Sequence, residues 1–441
     1  MNEEYAAVIK QVTPLLKDAL LTVEGEMLHR PVELDQALRE VLRQLGLSVM
    51  QAVLEIMSVE MTEQALASDP ELTVQHRHAI DVFTVFGAVS VPSPYLWRTG
   101  QGVRPAQQQL GLHHGQRSTA VERALTDFGA EESFGQAAAR FAEHYGWTLG
   151  RTSVLRIVER RAHQAQAYVE QRLEQQAQAF DVPLGIRPGV ENLLVELDGC
   201  EIRTGILAPA ASQDRTPIRG QPKRMRVEQW REVRVGLTRQ LDEVEPSYVA
   251  RMGTYPEVVE QLFQAAVGKG LSSQTLTVAV GDGGNGLREE LEVQFPHLQF
   301  IYDRPHLKEH LYETAEAMGL MGGDREVWVQ RILNSLDQGD CHSVLHELAS
   351  YRGCGLDRVA QLHKHLGRLA DAVHYAEYRA RGWPLGSGEV ESAHRYIPQK
   401  RLKLPGACWS PTTINPMLAL RIIRANDWWQ DFWAQQPAAA A

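Results

Sequence analysis

The chain has 441 residues, a formal net charge of −10, 44% hydrophobic and 23% charged residues. Such a length predicts about two to four domains, and the composition excludes wholesale disorder and fibrous architectures. The acidic start MNEEYAAVIKQV lacks a basic-then-apolar leader and no unbroken apolar run spans a bilayer, so a cytoplasmic protein with no membrane partner is expected. Cys200, Cys341, Cys354 and Cys408 form no CxxC pair, which predicts reduced and mostly buried thiols.

The acidity is uneven. Residues 1–80 hold 13 acids against 6 bases, whereas residues 211–239 hold 8 bases against 3 acids. Residues 151–161 (4 bases, 1 acid) and 391–441 (6 bases, 3 acids) are also basic, so local faces can bind nucleic acid despite the net charge.

In chain order, residues 1–80 carry apolar positions at helical spacing, as in Leu34, Leu38, Val41, Leu45, Val49 and Val53. Residues 81–116 contain FTVFGAVSVPSPYLW, a small β-hairpin, then a Gly- and Gln-rich loop. Residues 117–185 include SFGQAAARFAEHYG, WTLG and RTSVLRIVERRA, which is helix-turn-helix spacing, with Gly146 as a C-cap and Thr152 or Ser153 opening the second helix. Arg151, Thr152, Ser153 and Arg156 would then face DNA, although an ordinary helical hairpin has the same spacing.

Residues 186–304 alternate between strand and helix. NLLVELDG reads as a central strand, apolar on both faces apart from Glu196. WREVRVGLTRQL, PSYVARMG, a helix, TLTVAVGDGG, a second helix and LQFIYD follow, giving βββαβαβ, the order of a ribonuclease-H-like α/β sheet. Residues 305–382 are helical throughout, an all-α insertion, and residues 383–437 return to the core. Trp428, Trp429 and Trp433 read as packing aromatics.

Two strands end in Asp-Gly, at Asp198 and Asp282, which places both acids at strand C-termini where ligands bind open α/β sheets. Paired acids repel unless cations hold them, and hard oxygen ligands suit Mg²⁺ or Mn²⁺. A third carboxylate is available in SGEVES, where Glu389 and Glu391 lie about 200° apart on a helix. Spacing does not choose between them.

VGDGGNGLREELEVQFPHLQFIYDRPHLKEHL and GWPLGSGEVESAHRYIPQKRLKLPGACW, with the DGC strand, resemble DDE transposases of the ISKra group of bacterial insertion sequences. The resemblance runs from about residue 80 to 435 and includes the FGAVSVPSPYLW hairpin, LGL at 110–112 and the SFGQAAARFA helix. It implies kinship with Mutator-like and hAT transposases and a helical insertion before the final glutamate. Asp198, Asp282 and Glu391 match the catalytic, metal-binding acids, with Glu389 as runner-up. Asp303 and His306 match a supporting C/DxxH element, and His310 raises a DxxHxxxH zinc alternative that lacks a fourth ligand. Unlike many such relatives, the stretch after the hairpin has no cysteine pairs for a zinc ribbon.

The resemblance implies two metal ions, with Asp198 bridging, Asp282 on one and Glu391 on the other, acting in DNA cleavage and strand transfer. Double-stranded DNA, as element ends and target, would be the partner in a bacterial cytoplasm, bound by a homodimer or larger assembly. Arg395, Lys400, Arg401 and Lys403 would hold phosphates. The alternatives are a ribonuclease-H-like nuclease without strand transfer, a domesticated DNA-binding regulator that has lost catalysis, and a glycosidase using paired carboxylates.

Overall fold

In the computed structural model, apart from a few positions before residue 31, residues 31–113, 115–178, 189–209, 224–284 and 286–435 are described. The chain divides into two compact units, residues 1–161 with 430–441, and residues 162–429.

The first unit opens with α1 (Pro31–Ser68). Leu47, Met50 and Leu54 of this helix pack on the buried Ile80, Val82, Val89 and Val91. Those four alternate along β2 (Ala79–Thr84) and β3 (Gly87–Pro92), the expected hairpin, in which one face is apolar and the other wet. Residues Asp35–Ser68 of α1 are long and apolar enough to cross a membrane by length and composition alone, although charged residues interrupt the run.

The region is richer than one hairpin. β1 (Thr73–His76), β4 (Tyr95–Arg98) and β5 (Gln101–Val103) form one sheet, and β3, β2 and β6 (Gln116–Arg117) another. The expected loop also holds α2 (Pro105–Leu110), started by a proline at its first turn and stopped by Gly111 in the left-handed region.

α3 (Thr119–Glu131), α4 (Phe134–Tyr145) and α5 (Arg151–Gln178) follow. Ser133 and Gln136 form a capping box at the start of α4, and Gly146 ends it at φ 72°, as its sequence predicts. α5 starts one residue earlier than expected, with Gly150 O accepting from the Ser153 and Val154 amides. Gly129 lets α3 and α5 approach closely, since a Cβ there would meet Val158 Cγ2 at 2.5 Å.

The second unit is mixed α/β. Its sheet comprises β7 (Asn192–Pro209), β8 (Arg224–Gln240), β9 (Ser247–Arg251), β10 (Leu276–Gly281) and β11 (Leu298–Tyr302), in the order β11-β10-β7-β8-β9. β7 and β8, and β8 and β9, are antiparallel, while β10 is parallel to both β7 and β11. Residues Leu193, Leu194, Val195 and Leu197 are all buried, because β7 is central and covered on both faces. α6 (Tyr255–Gly268) covers one face, with Leu262 against Gly236.

α7 (Leu287–Gln294) links β10 to β11. Only helices follow among the described residues from 304 to 382: α8 (Arg304–Ala317), α9 (Gly322–Asp337), α10 (Cys341–Ser350), α11 (Leu356–Arg368) and α12 (Tyr375–Ala380), with one 3₁₀ turn. α13 (Gly388–His394) returns to the sheet and continues into a π-helical segment, Arg395–Gln399, where Pro398 cannot donate an amide. α14 (Pro411–Ala425) packs on β9 and β7. A further helix, α15 (Trp429–Gln435), follows. Trp428, Trp429 and Trp433 are buried, consistent with packing roles. All four cysteines are free, but only Cys341 is buried, which corrects the expectation for the thiols.

Candidate metal and nucleic-acid site

Asp198 does not end its strand. β7 runs on to Pro209 because residues after the Asp-Gly pair keep alternating and stay paired to β8, with Asp198 opposite Val235. Asp282 does follow a strand end, and Gly283 takes φ 67° where a Cβ would meet Leu369 Cδ1 at 2.4 Å, so glycine is required there. The last register pair of β7 and β10 is Glu196 with Val280. Asp198 and Asp282 each lie two residues further along neighbouring parallel strands, which run about 4.8 Å apart.

Each acid is held differently. Asp282 Oδ1 accepts from Gly284 N at 2.8 Å and Asp198 Oδ1 from Gly199 N at 2.7 Å. His394, 2% exposed, brings Nε2 to 3.4 Å from Asp198 Oδ2. Burial holds that imidazole below its usual pKa and outweighs the opposite pull of Asp198. His394 lies three residues after Glu391, one turn along α13, a spacing the sequence displays but that spacing alone does not mark as functional.

α13 is docked on the central strand by Glu196, whose Oε2 accepts from Val390 N at 2.8 Å. Glu196 is 1% exposed, and burial raises its carboxyl pKa to about 8, opposed by that backbone bond. At neutral pH it is therefore mainly protonated. The one charged residue in the run NLLVEL is thus a dock for the helix that carries Glu391.

The two glutamates of SGEVES diverge. Glu389 is gripped by Arg239 of β8, with Nη2 to Oε1 at 2.5 Å and Nε to Oε2 at 2.9 Å. Glu391 is exposed and points to Asp303 and His306; one ligand atom from each of the three lies within 4.8 Å of the others. Asp198 and Asp282 are not members of that set.

Asp303 is fully buried and saturated. Its Oδ1 accepts from His306 N, capping α8, and its Oδ2 accepts from Ser387 N at 2.7 Å and Ser387 Oγ at 2.5 Å. Its own amide donates to Gly281 O. One carboxylate thus ties together the end of β10, the start of α8 and the start of α13, which makes Asp303 a fastener of the site and leaves Glu391 and His306 freer to take a cation. His310 instead contacts Glu313 and Arg358, away from that set.

Among the expected phosphate contacts, Arg395, Lys400 and Lys403 are exposed. Arg401 is not: it is 3% exposed, lies 4.7 Å over the Trp409 ring, and burial with nearby Arg421 pushes its pKa down to about 10. Its expected role on DNA is corrected to one in packing. On α5, Arg151, Thr152 and Arg156 are exposed and Ser153 is half-buried.

No protein-family model matches the chain, and no curated protein matches it. Among solved structures it is similar to a chain of the "Drosophila P element transposase strand transfer complex", at 10% sequence identity and a TM-score of 0.25, covering 76% of this chain and 84% of that one. A likeness this weak carries no argument about fold or activity.

Proposed function

We propose that the chain is a DNA transposase of an insertion sequence, related to the ISKra group, with a ribonuclease-H-like catalytic unit. The observation that carries this reading is that Asp198 and Asp282 each lie two residues beyond the last register pair of adjacent parallel strands, Asp198 within β7 and Asp282 just past the end of β10, beside the helix that bears Glu391. Numbered along the unit, the strand order is 5-4-1-2-3 with only the second strand antiparallel to the first, fourth and fifth among the strands it can be compared with through β7; this supports the ribonuclease-H-like reading.

Asp198, Asp282 and Glu391 are oxygen donors of the kind Mg²⁺ and Mn²⁺ prefer, and His306 is a borderline donor that Mn²⁺ accepts. When bound, a pair of such ions activates a nucleophile and stabilises the leaving oxygen in phosphoryl transfer. The protein's own part is to hold the donors. Glu196 and Asp303 fix α13, His394 lies 3.4 Å from Asp198, and Gly283 allows the tight turn after Asp282. Arg395, Lys400 and Lys403 bind phosphates near α13, and Arg151, Thr152, Ser153 and Arg156 lie on the second helix of the DNA-binding pair.

The test is incubation of the purified protein with Mg²⁺ and DNA carrying the sequences that flank its gene. End cleavage followed by joining to a target supports a transposase. Cleavage without joined products supports the nuclease alternative, and binding without cleavage supports the regulator.

A further inference from the structure

Between Cys200↔Val233 and Pro209↔Arg224, β7 and β8 pair only with each other as strands: β10 leaves β7 at Glu196, and β9 leaves β8 at Arg234. The two strands therefore continue as an antiparallel ribbon about 30 Å long at ~3.3 Å per residue. Its outer β7 edge is braced as far as Gly205 by Trp409, whose backbone bonds to Arg203 O and Gly205 N.

Register places Arg203 opposite Trp230, Gly205 opposite Glu228 and Leu207 opposite Arg226, all on one face. Trp230 is 66% and Leu207 62% exposed. Glu228 pairs with Arg203, while Arg226 has no carboxylate partner among the described residues. Trp230 and Leu207 are both large apolar side chains left in solvent on the same face as the arginines. The face carries Arg203 and Arg226 against the single carboxylate Glu228, a positive excess of the kind a phosphate backbone attracts.

We propose that this ribbon is a DNA-binding arm whose Arg203–Trp230 face lies in the major groove of a duplex. A groove about 12 Å wide admits a two-stranded ribbon. Arg226 contacts a phosphate, and Trp230 and Leu207 cover sugar and base edges. The inference rests on the DNA-processing reading above and adds the arm, which neither the three acids nor the helix pair includes.

The experiment uses the full-length protein and a 30-base-pair duplex, about one ribbon length on each of three turns, with binding followed by fluorescence anisotropy across a salt series. R226A is expected to reduce the slope of log Kd against log salt by about one. W230A is expected to weaken binding about fivefold, the lower end for an aromatic contact to nucleic acid, and E228A to tighten it by freeing Arg203. These side chains are exposed, and unchanged circular dichroism and Tm verify folding. Wild-type binding that R226A and W230A leave unaltered overturns the arm but spares the DNA reading. A W230A shift from dimer to monomer in sedimentation, with DNA affinity intact, overturns it in favour of a second copy of the chain. No duplex binding by the wild type overturns both readings.

Discussion

Replacing Glu196 by Gln tests the dock beneath α13. The folded-state pKa of about 8, against an ordinary 4.5, means that folding retains a proton the unfolded chain releases. The stabilising effect of that proton is fully present below about pH 4.5 and is lost as pH rises through about 8. The displacement of roughly 3.5 units corresponds to at most about 4–5 kcal/mol at high pH, at about 1.4 kcal/mol per unit. Gln keeps an oxygen for Val390 N and removes the titration. E196Q should therefore match the wild type near pH 5 and exceed it in stability by a few kcal/mol at pH 9, measured by urea unfolding at each pH. Equal stability curves across pH 5–9 would refute the argument that burial keeps Glu196 protonated.

Asp198→Ala, Asp282→Ala and Glu391→Ala should each abolish Mg²⁺-dependent end cleavage while DNA binding, measured by gel shift, remains; full activity in any one removes that residue from the site. Glu389→Ala should cost about 1–3 kcal/mol of stability, because it leaves half-buried Arg239 without its carboxylate, yet retain cleavage, checked by denaturation and the same nuclease assay. Arg401→Ala should lower Tm and leave the salt slope of DNA binding unchanged, whereas Lys400→Ala with Lys403→Ala should reduce that slope by about two with little change in Tm.

Much of the second unit is legible in the residues. Strand runs separated by amphipathic helices give the element order, and GDGG marks the turn after β10 because only glycine accepts the Gly283 conformation. The full length of β7 is not legible at LDGC: Asp-Gly is a turn signal, and only pairing with β8 carries the strand onward. Helical spacing separates Glu389 from Glu391 but gives no orientation, which depends on Arg239 arriving from a strand 150 residues earlier. His394 and Ser387 escape notice for the same reason, since their partners Asp198 and Asp303 are remote in sequence. Arg401 reads as one of a basic run, and its burial over Trp409 is a matter of tertiary packing.

The central claim is that Asp198, Asp282 and Glu391 serve one pair of divalent cations. Anomalous diffraction from crystals of the protein bound to DNA and soaked in Mn²⁺ tests it most directly. Two peaks are predicted, one between Asp198 and Asp282 and one between Asp198 and Glu391. A single ion on Asp303, His306 and Glu391, with none at Asp198 or Asp282, would contradict it.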